Sequence, residues 1–138
     1  MSQIARFGVS LEKNLLDKFD KVISAENYTN RSEALRDLIR EKLVRIEWKS
    51  GKNVAASISI VYDHHHRELV GTLTDIQHDF QDIIISVQHV HLDHDNCFEV
   101  IVVRGKSLKI EELANKLKSA RGVKFSQLSM ATTGKEII

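Results

Sequence analysis

Seven histidines stand between His64 and His94, and the one cysteine of the chain, Cys97, follows three residues after the last of them. Imidazole nitrogen and thiolate sulfur are donors that suit borderline-soft divalent metals. In His89-Val90-His91 the two imidazoles are two residues apart, so on a strand they share one face and Val90 takes the other. Cys97 returns six residues after His91, past the turn-forming run Asp93-His94-Asp95-Asn96, and brings a thiol toward that pair. His78 is the fourth candidate ligand. In a helix whose buried stripe includes Ile76 it lies roughly 200° around from that stripe, facing another surface such as a second subunit. Three nitrogens and one sulfur suit Zn(II) in a tetrahedral site, or Ni(II) or Cu(II) in a square-planar one; spacing does not choose among them. His64-His65-His66 reads as a solvated strand-to-helix loop, with a secondary metal site as the rival reading. His94 reads as an exposed turn residue. Cys97 as a nucleophile lacks an activating motif.

These residues need strands and helices to place them, and the hydrophobic periodicity supplies both. Alternation over Asn53–Asp63 predicts a strand, with Ile58, Ile60 and Tyr62 on one face and Ser57, Ser59 and Val61 on the other. Leu69, Leu73, Ile76 and Phe80 predict a helix from Arg67 to about Gln81. A strand follows over Ile83–Leu92, then the turn, then a strand from Cys97 to Val103 ended by Gly105. Ile110, Leu113, Ala114 and Leu117 mark a helix with Gly122 as its stop, and Val123 to about Ala131 forms a last strand. The order β-α-β-β-α-β is that of ferredoxin-like domains.

The first third reads differently. Phe7, Val9 and Leu11 alternate with Arg6, Gly8 and Ser10, predicting a short strand within residues 4–11. Leu15, Phe19, Val22 and Ile23 stripe a helix from about Glu12 to Ser24. After a turn at Ala25–Tyr28, a second helix opens at Asn30, with Glu33 at capping-box spacing. Leu35, Leu38, Ile39, Leu43 and Ile46 carry its buried stripe. A strand followed by two helices is too short to close a core alone, and a lone strand has two unpaired edges. Dimerisation through an antiparallel two-stranded ribbon answers both needs. The polar run Ser50-Gly51-Lys52-Asn53 divides the chain into 1–50 and 51–138.

The composition excludes several classes. The 138 residues carry a formal net charge of +1, so nucleic-acid contact must come from a local patch. Aromatics make up 6%, too few for a single-strand stacking platform. One cysteine rules out an intrachain disulfide. No apolar run reaches the roughly 18 residues of a membrane span, and residues 1–10 have no signal-peptide core; the expected location is the cytoplasm. No acid-base pair or phosphate loop points to an enzyme.

A two-stranded ribbon fits the major groove of B-DNA. Arg6, Gly8 and Ser10 would then face base edges, Arg6 donating two bonds to guanine. The N-terminal half resembles ribbon-helix-helix DNA-binding domains, through Arg6-Phe7-Gly8-Val9-Ser10-Leu11 and Asn30-Arg31-Ser32-Glu33-Ala34-Leu35-Arg36-Asp37. The whole chain resembles the NikR-type nickel-responsive transcriptional regulators. Ile76-Gln77-His78 and the run from His89 to Glu99, with its His-x-His-x5-Cys spacing, carry that resemblance.

The resemblance implies an α+β protein with a dimeric ribbon-helix-helix domain followed by an ACT-like ferredoxin fold. It implies one Ni(II) per subunit, bound square-planar by His89, His91 and Cys97 of one subunit and His78 of another. Glu99 would orient the ligands from behind. A homotetramer built as a dimer of dimers would bind a palindromic double-stranded operator and repress nickel-uptake genes. A second cation, such as potassium, would bind between domains at Glu33 and Asp37. Those carboxylates, at i and i+4 of a helix, repel each other; a cation would offset this, as would screening by Arg36 and Arg40. Gly8 departs from the family's usual polar side chain and removes one base contact. The alternative is a ribbon-helix-helix regulator answering to another metal, or to a small organic ligand through the ACT-like domain.

Overall fold

The computed structural model describes residues 3–138, in the order α1 (Lys13–Ala25), α2 (Arg31–Lys49), β1 (Asn53–Asp63), α3 (Arg67–Asp79), β2 (Ile84–His91), β3 (Asn96–Lys106), α4 (Ser107–Ser119) and β4 (Val123–Met130). The chain divides into two compact units between Ile39 and Arg40, within α2.

In the second unit one four-stranded sheet has the order β2-β3-β1-β4, with every neighbouring pair antiparallel. With α3 and α4 as the crossovers, this is the ferredoxin-like arrangement. β1 buries every second residue, Val54 through Ile58 and Ile60 to Tyr62. β3 does the same with Cys97, Glu99, Ile101 and Val103. These meet Leu69, Leu73 and Phe80 from α3 and the start of the loop after it, and Ile110, Leu113 and Leu117 from α4, in one core. Period-two strands against period-3.6 helices give that core its two layers.

Gly105 does not end β3, which runs on to Lys106. A Cβ built on Gly105 would stand 2.7 Å from Ile83 Cγ2, so glycine here permits a close approach. Gly122 does follow α4, with a φ of 104° that suits glycine alone.

In the first unit, α1 and the start of α2 are joined by a turn in which Asn27 takes a φ of 66°. Asn30 Oδ1 accepts from the Glu33 amide at 2.9 Å, capping α2 as its spacing predicts. Arg31 grips Asp20 with two bonds, of 2.9 and 2.8 Å, which hold the Asp20 carboxyl below its usual range. Ile23 of α1 and Ala34 of α2 are buried.

Two sequence expectations are not met within the single chain described. Residues 4–11 take no regular secondary structure and enter no ladder. A strand is defined by hydrogen bonds to a neighbour, and among the described residues none pairs with this segment. Its apolar residues stay exposed, Phe7 by 75%. Likewise Leu38, Ile39, Leu43 and Ile46, expected to be buried, are exposed, and Leu35 is half-buried. α2 buries Ala34, Glu47 and Trp48 instead.

Candidate metal centre and nucleic-acid interface

The β2–β3 hairpin places the candidate ligands. Asp93 Oδ1 accepts from the Asp95 amide at 2.9 Å and the Asn96 amide at 2.8 Å. The Asn96 side chain donates to both carboxylate oxygens, and these bonds, that side chain's first, hold the Asp93 carboxyl below its usual range. This tight turn sets the register, in which His91 lies opposite Cys97 and His89 opposite Glu99. Directly opposed residues share a sheet face, so all four side chains project from the face that carries the core. β2 is the sheet's edge, which leaves both imidazoles accessible from outside while Cys97 and Glu99 are buried.

Glu99 is 2% exposed and fully engaged. Its Oε2 accepts from the Tyr62 hydroxyl at 2.7 Å, and its Oε1 from Gln77 Nε2 at 2.7 Å. Burial, and then the bond to Glu99, push the Tyr62 phenol well above its usual range. His89 Nε2 lies 3.1 Å from Glu99 Oε2, and His89 Nδ1 lies 3.4 Å from Cys97 Sγ. The His89 ring thus stands between the two groups, one nitrogen toward the carboxylate and the other toward sulfur.

That arrangement fits a metal ion. With a sulfur bond of about 2.3 Å and a nitrogen bond of about 2.0 Å, two ligands of one ion stand roughly 3.1–3.6 Å apart between right-angled and tetrahedral geometry. The observed 3.4 Å falls in that interval.

The remaining candidate ligands are placed less tightly. The His91 ring meets the His64 ring edge-on, with centroids 4.9 Å apart. His78 is exposed in the last turn of α3, beside a pocket of about 310 Å³ lined also by Thr74, Gln77, Gln81 and Ile84. Among the described residues, three ligand atoms come within 4.8 Å of one another at Asp63, His64 and His65 and at His65, His94 and Asp95. His78, His89, His91 and Cys97 do not close into such a set within one chain.

Several roles were not legible in the sequence. His66 caps α3, its Nδ1 accepting from the Leu69 amide at 3.3 Å, and His64 is half-buried with an unpartnered Nδ1. His94 is 88% exposed, as its turn position predicts. Tyr62 and Gln77 were missed as partners of Glu99. Tyr62 shares its strand face with Ile60, and Gln77 adjoins His78, but only the packing of α3 and β1 on β3 reveals the shared carboxylate.

Toward the N-terminus, Arg6, Gly8 and Ser10 are exposed. Phe7, Val9 and Leu11 line a pocket of about 460 Å³ with Leu16, Phe19 and Leu35. Glu33 and Asp37 each accept from a hydroxyl, that of Thr29 at 3.3 Å and that of Tyr28 at 2.7 Å.

Residues 55–131 match the family described as the NikR C-terminal nickel binding domain, and residues 5–45 match the ribbon-helix-helix proteins of the copG family. The chain belongs to the nickel-responsive regulators. Relatives bearing that name include one from Chlorobium limicola, 58% identical over 97% of this chain and 100% of its own. Another, from Syntrophus aciditrophicus, is 52% identical over 97% and 98%, and one from Pyrococcus furiosus is 52% identical over 98% and 99%. Among solved structures, an uncharacterized protein of Thermotoga maritima shares the sheet-domain fold, with a TM-score of 0.53 at 15% identity over 57% of this chain and 98% of its own. The nickel-responsive regulators are transcriptional regulators, not enzymes; this member joins a ribbon-helix-helix DNA-binding domain to a nickel-binding domain of ferredoxin-like topology. Among the described residues no helix is long and apolar enough to cross a membrane.

Proposed function

We propose that this regulator is a nickel-activated repressor of nickel-uptake genes, acting in the cytoplasm as a homotetramer on a palindromic operator. Residues 1–50 serve DNA binding, and residues 51–138 serve nickel binding and assembly. The observation that carries the reading is the His89–Cys97 pair, with its donors at ligand spacing and the far side of its ring against buried Glu99.

His89, His91 and Cys97 of one subunit and His78 of another would hold one nickel per subunit. The exposure of His78, and its absence from its own chain's cluster, support a role across subunits. When bound, nickel supplies a Lewis-acidic centre that links these donors. The chain's own part is to present them. Glu99 orients His89, Gln77 ties the last turn of α3 to Glu99, and His78 follows on that turn. Metal can favour DNA binding only by binding the DNA-competent state more tightly, and DNA must then raise metal affinity by the same factor.

Exposed Phe7, Val9 and Leu11, and the stripe through Leu38 and Leu43, supply apolar surface for a ribbon dimer. Arg6, Gly8 and Ser10 would face the bases. Glu33 and Asp37 would hold a second cation such as potassium, whose binding must compete with the hydroxyl bonds they already accept.

The test is an anaerobic nickel titration of the reduced, metal-free protein and of Cys97→Ala, followed by absorption and operator binding. The expected result is a thiolate-to-nickel band saturating at one equivalent per subunit in the parent. The variant should lose both the band and the metal-dependent gain in DNA affinity. An unchanged nickel response in Cys97→Ala overturns the assignment. If another metal or an organic effector alone elicits DNA binding, the effector is not nickel.

A further inference from the structure

After β4 ends at Met130 the chain continues as an irregular segment, Ala131–Ile138, whose side chains and carbonyls return to one place. The Ala131 carbonyl accepts from Trp48 Nε1 at 2.9 Å, and Thr132 Oγ1 donates to Glu47 Oε2 at 2.9 Å. Glu136 pairs with Lys52 at 3.0 Å, and the Ile138 carbonyl accepts from Arg40 Nε at 2.9 Å. All four partners belong to α2 or to the three residues after it. Gly134, at a φ of 77°, makes the reversal that brings Glu136 back.

The partners are not casual surface groups. Trp48 is 4% exposed and Glu47 8%, and a buried carboxylate or indole N–H depends on the hydrogen bonds it finds. From the other side, Ser107 Oγ donates to the Trp48 carbonyl at 2.7 Å, and the Ser107 amide donates to the Lys52 carbonyl at 3.1 Å. The end of α2 is therefore held by the start of α4 and by the C-terminal segment together. α2 is one uninterrupted helix whose earlier turns belong to the first unit.

We infer that Ala131–Ile138 is a clamp that makes the last turns of α2 part of the nickel-binding unit, so that ordering of that unit by metal is passed into the helix it shares with the DNA-binding unit. The coupling rests on the proposed nickel-dependent function; the clamp itself does not. The experiment compares the full chain with the double variant Thr132→Val/Glu136→Gln and with a chain stopped after Ala131. Amide hydrogen exchange is read on the metal-free proteins, and operator affinity is measured with and without Ni(II).

The expected result is that amides of residues 43–49 exchange about tenfold faster or more in both variants, while β1 and β3 keep their protection. The nickel-dependent gain in DNA affinity should fall about fivefold or more, with nickel absorption per subunit unchanged. Unchanged exchange at 43–49, or a uniform rise across the domain, overturns the clamp. Altered exchange with a full nickel-dependent gain overturns the coupling. A parent protein without any such gain overturns the functional reading and the coupling with it, and the exchange pattern then decides the clamp alone.

Discussion

Replacing Glu99 by glutamine keeps the shape of the side chain and removes its charge. In the parent, three donors converge on this carboxylate, from Tyr62, Gln77 and His89. A glutamine offers one carbonyl oxygen and an amide that donates. One of the three donors must then face another donor unless its own group turns over; Gln77 can do so by flipping its amide. Hydrogen bonds to a charged group are worth about 1.5–3 kcal/mol, against about 1 for neutral ones. Some of that loss is offset because the variant no longer desolvates a charge. The metal-free protein should therefore lose about 1–2 kcal/mol of stability, measured as a lower urea midpoint at unchanged slope.

The effect on metal should be separable from this loss. A neutral amide oxygen in place of the carboxylate is a weaker partner for His89 Nε2, and the ring is held less firmly with Nδ1 toward Cys97. Changes of this kind behind a ligand cost about 10- to 100-fold in metal affinity, or about 1.4–2.8 kcal/mol. Competition against a chelator of known affinity measures it. A Glu99→Gln protein that binds nickel within twofold of the parent would refute the orienting role, whatever its urea midpoint. Equal losses for nickel and for DNA binding without metal would mark a general loss of structure instead.

Arg6→Ala should weaken operator binding by about 1–3 kcal/mol, the worth of a bidentate base contact, and leave nickel affinity intact; fluorescence anisotropy with specific and scrambled duplexes checks it, and equal losses on both duplexes would make Arg6 a phosphate contact. Gly105→Ala should cost about 1–3 kcal/mol by overpacking Ile83, and a urea midpoint within error of the parent would mean that Ile83 moves aside freely. The Asp20–Arg31 pair predicts a pH effect. Its lowered carboxyl pKa makes it stabilising above the usual value of 3.8, and that contribution is lost as pH falls through the lower folded-state value. Asp20→Asn should thus be less stable than the parent near neutral pH and equal to it in strong acid, and a difference that persists in acid would show a packing effect.

Period and punctuation in the chain determined most of the second domain. β1 runs from Asn53 to Asp63 as the alternation predicts, and α3 opens at Arg67. The Asp93–Asn96 run alone pointed to the turn, and alternation alone put His89 and His91 on one face. These features are local, set by side-chain direction along a strand and by the hydrogen-bonding habits of Asp and Asn, so they survive being read one residue at a time. The tertiary structure decided which residues meet. Register places His89 opposite Glu99, and packing brings Tyr62 and Gln77 onto that carboxylate from two other elements. Trp48 likewise finds Ala131 across 83 positions of chain. The first domain marks the other boundary of sequence reading. Residues 4–11 alternate as a strand does, yet a ladder needs a second strand, and none of the described residues supplies one. Periodicity states which face of an element is apolar, but only the fold, or the assembly of folds, determines what covers it.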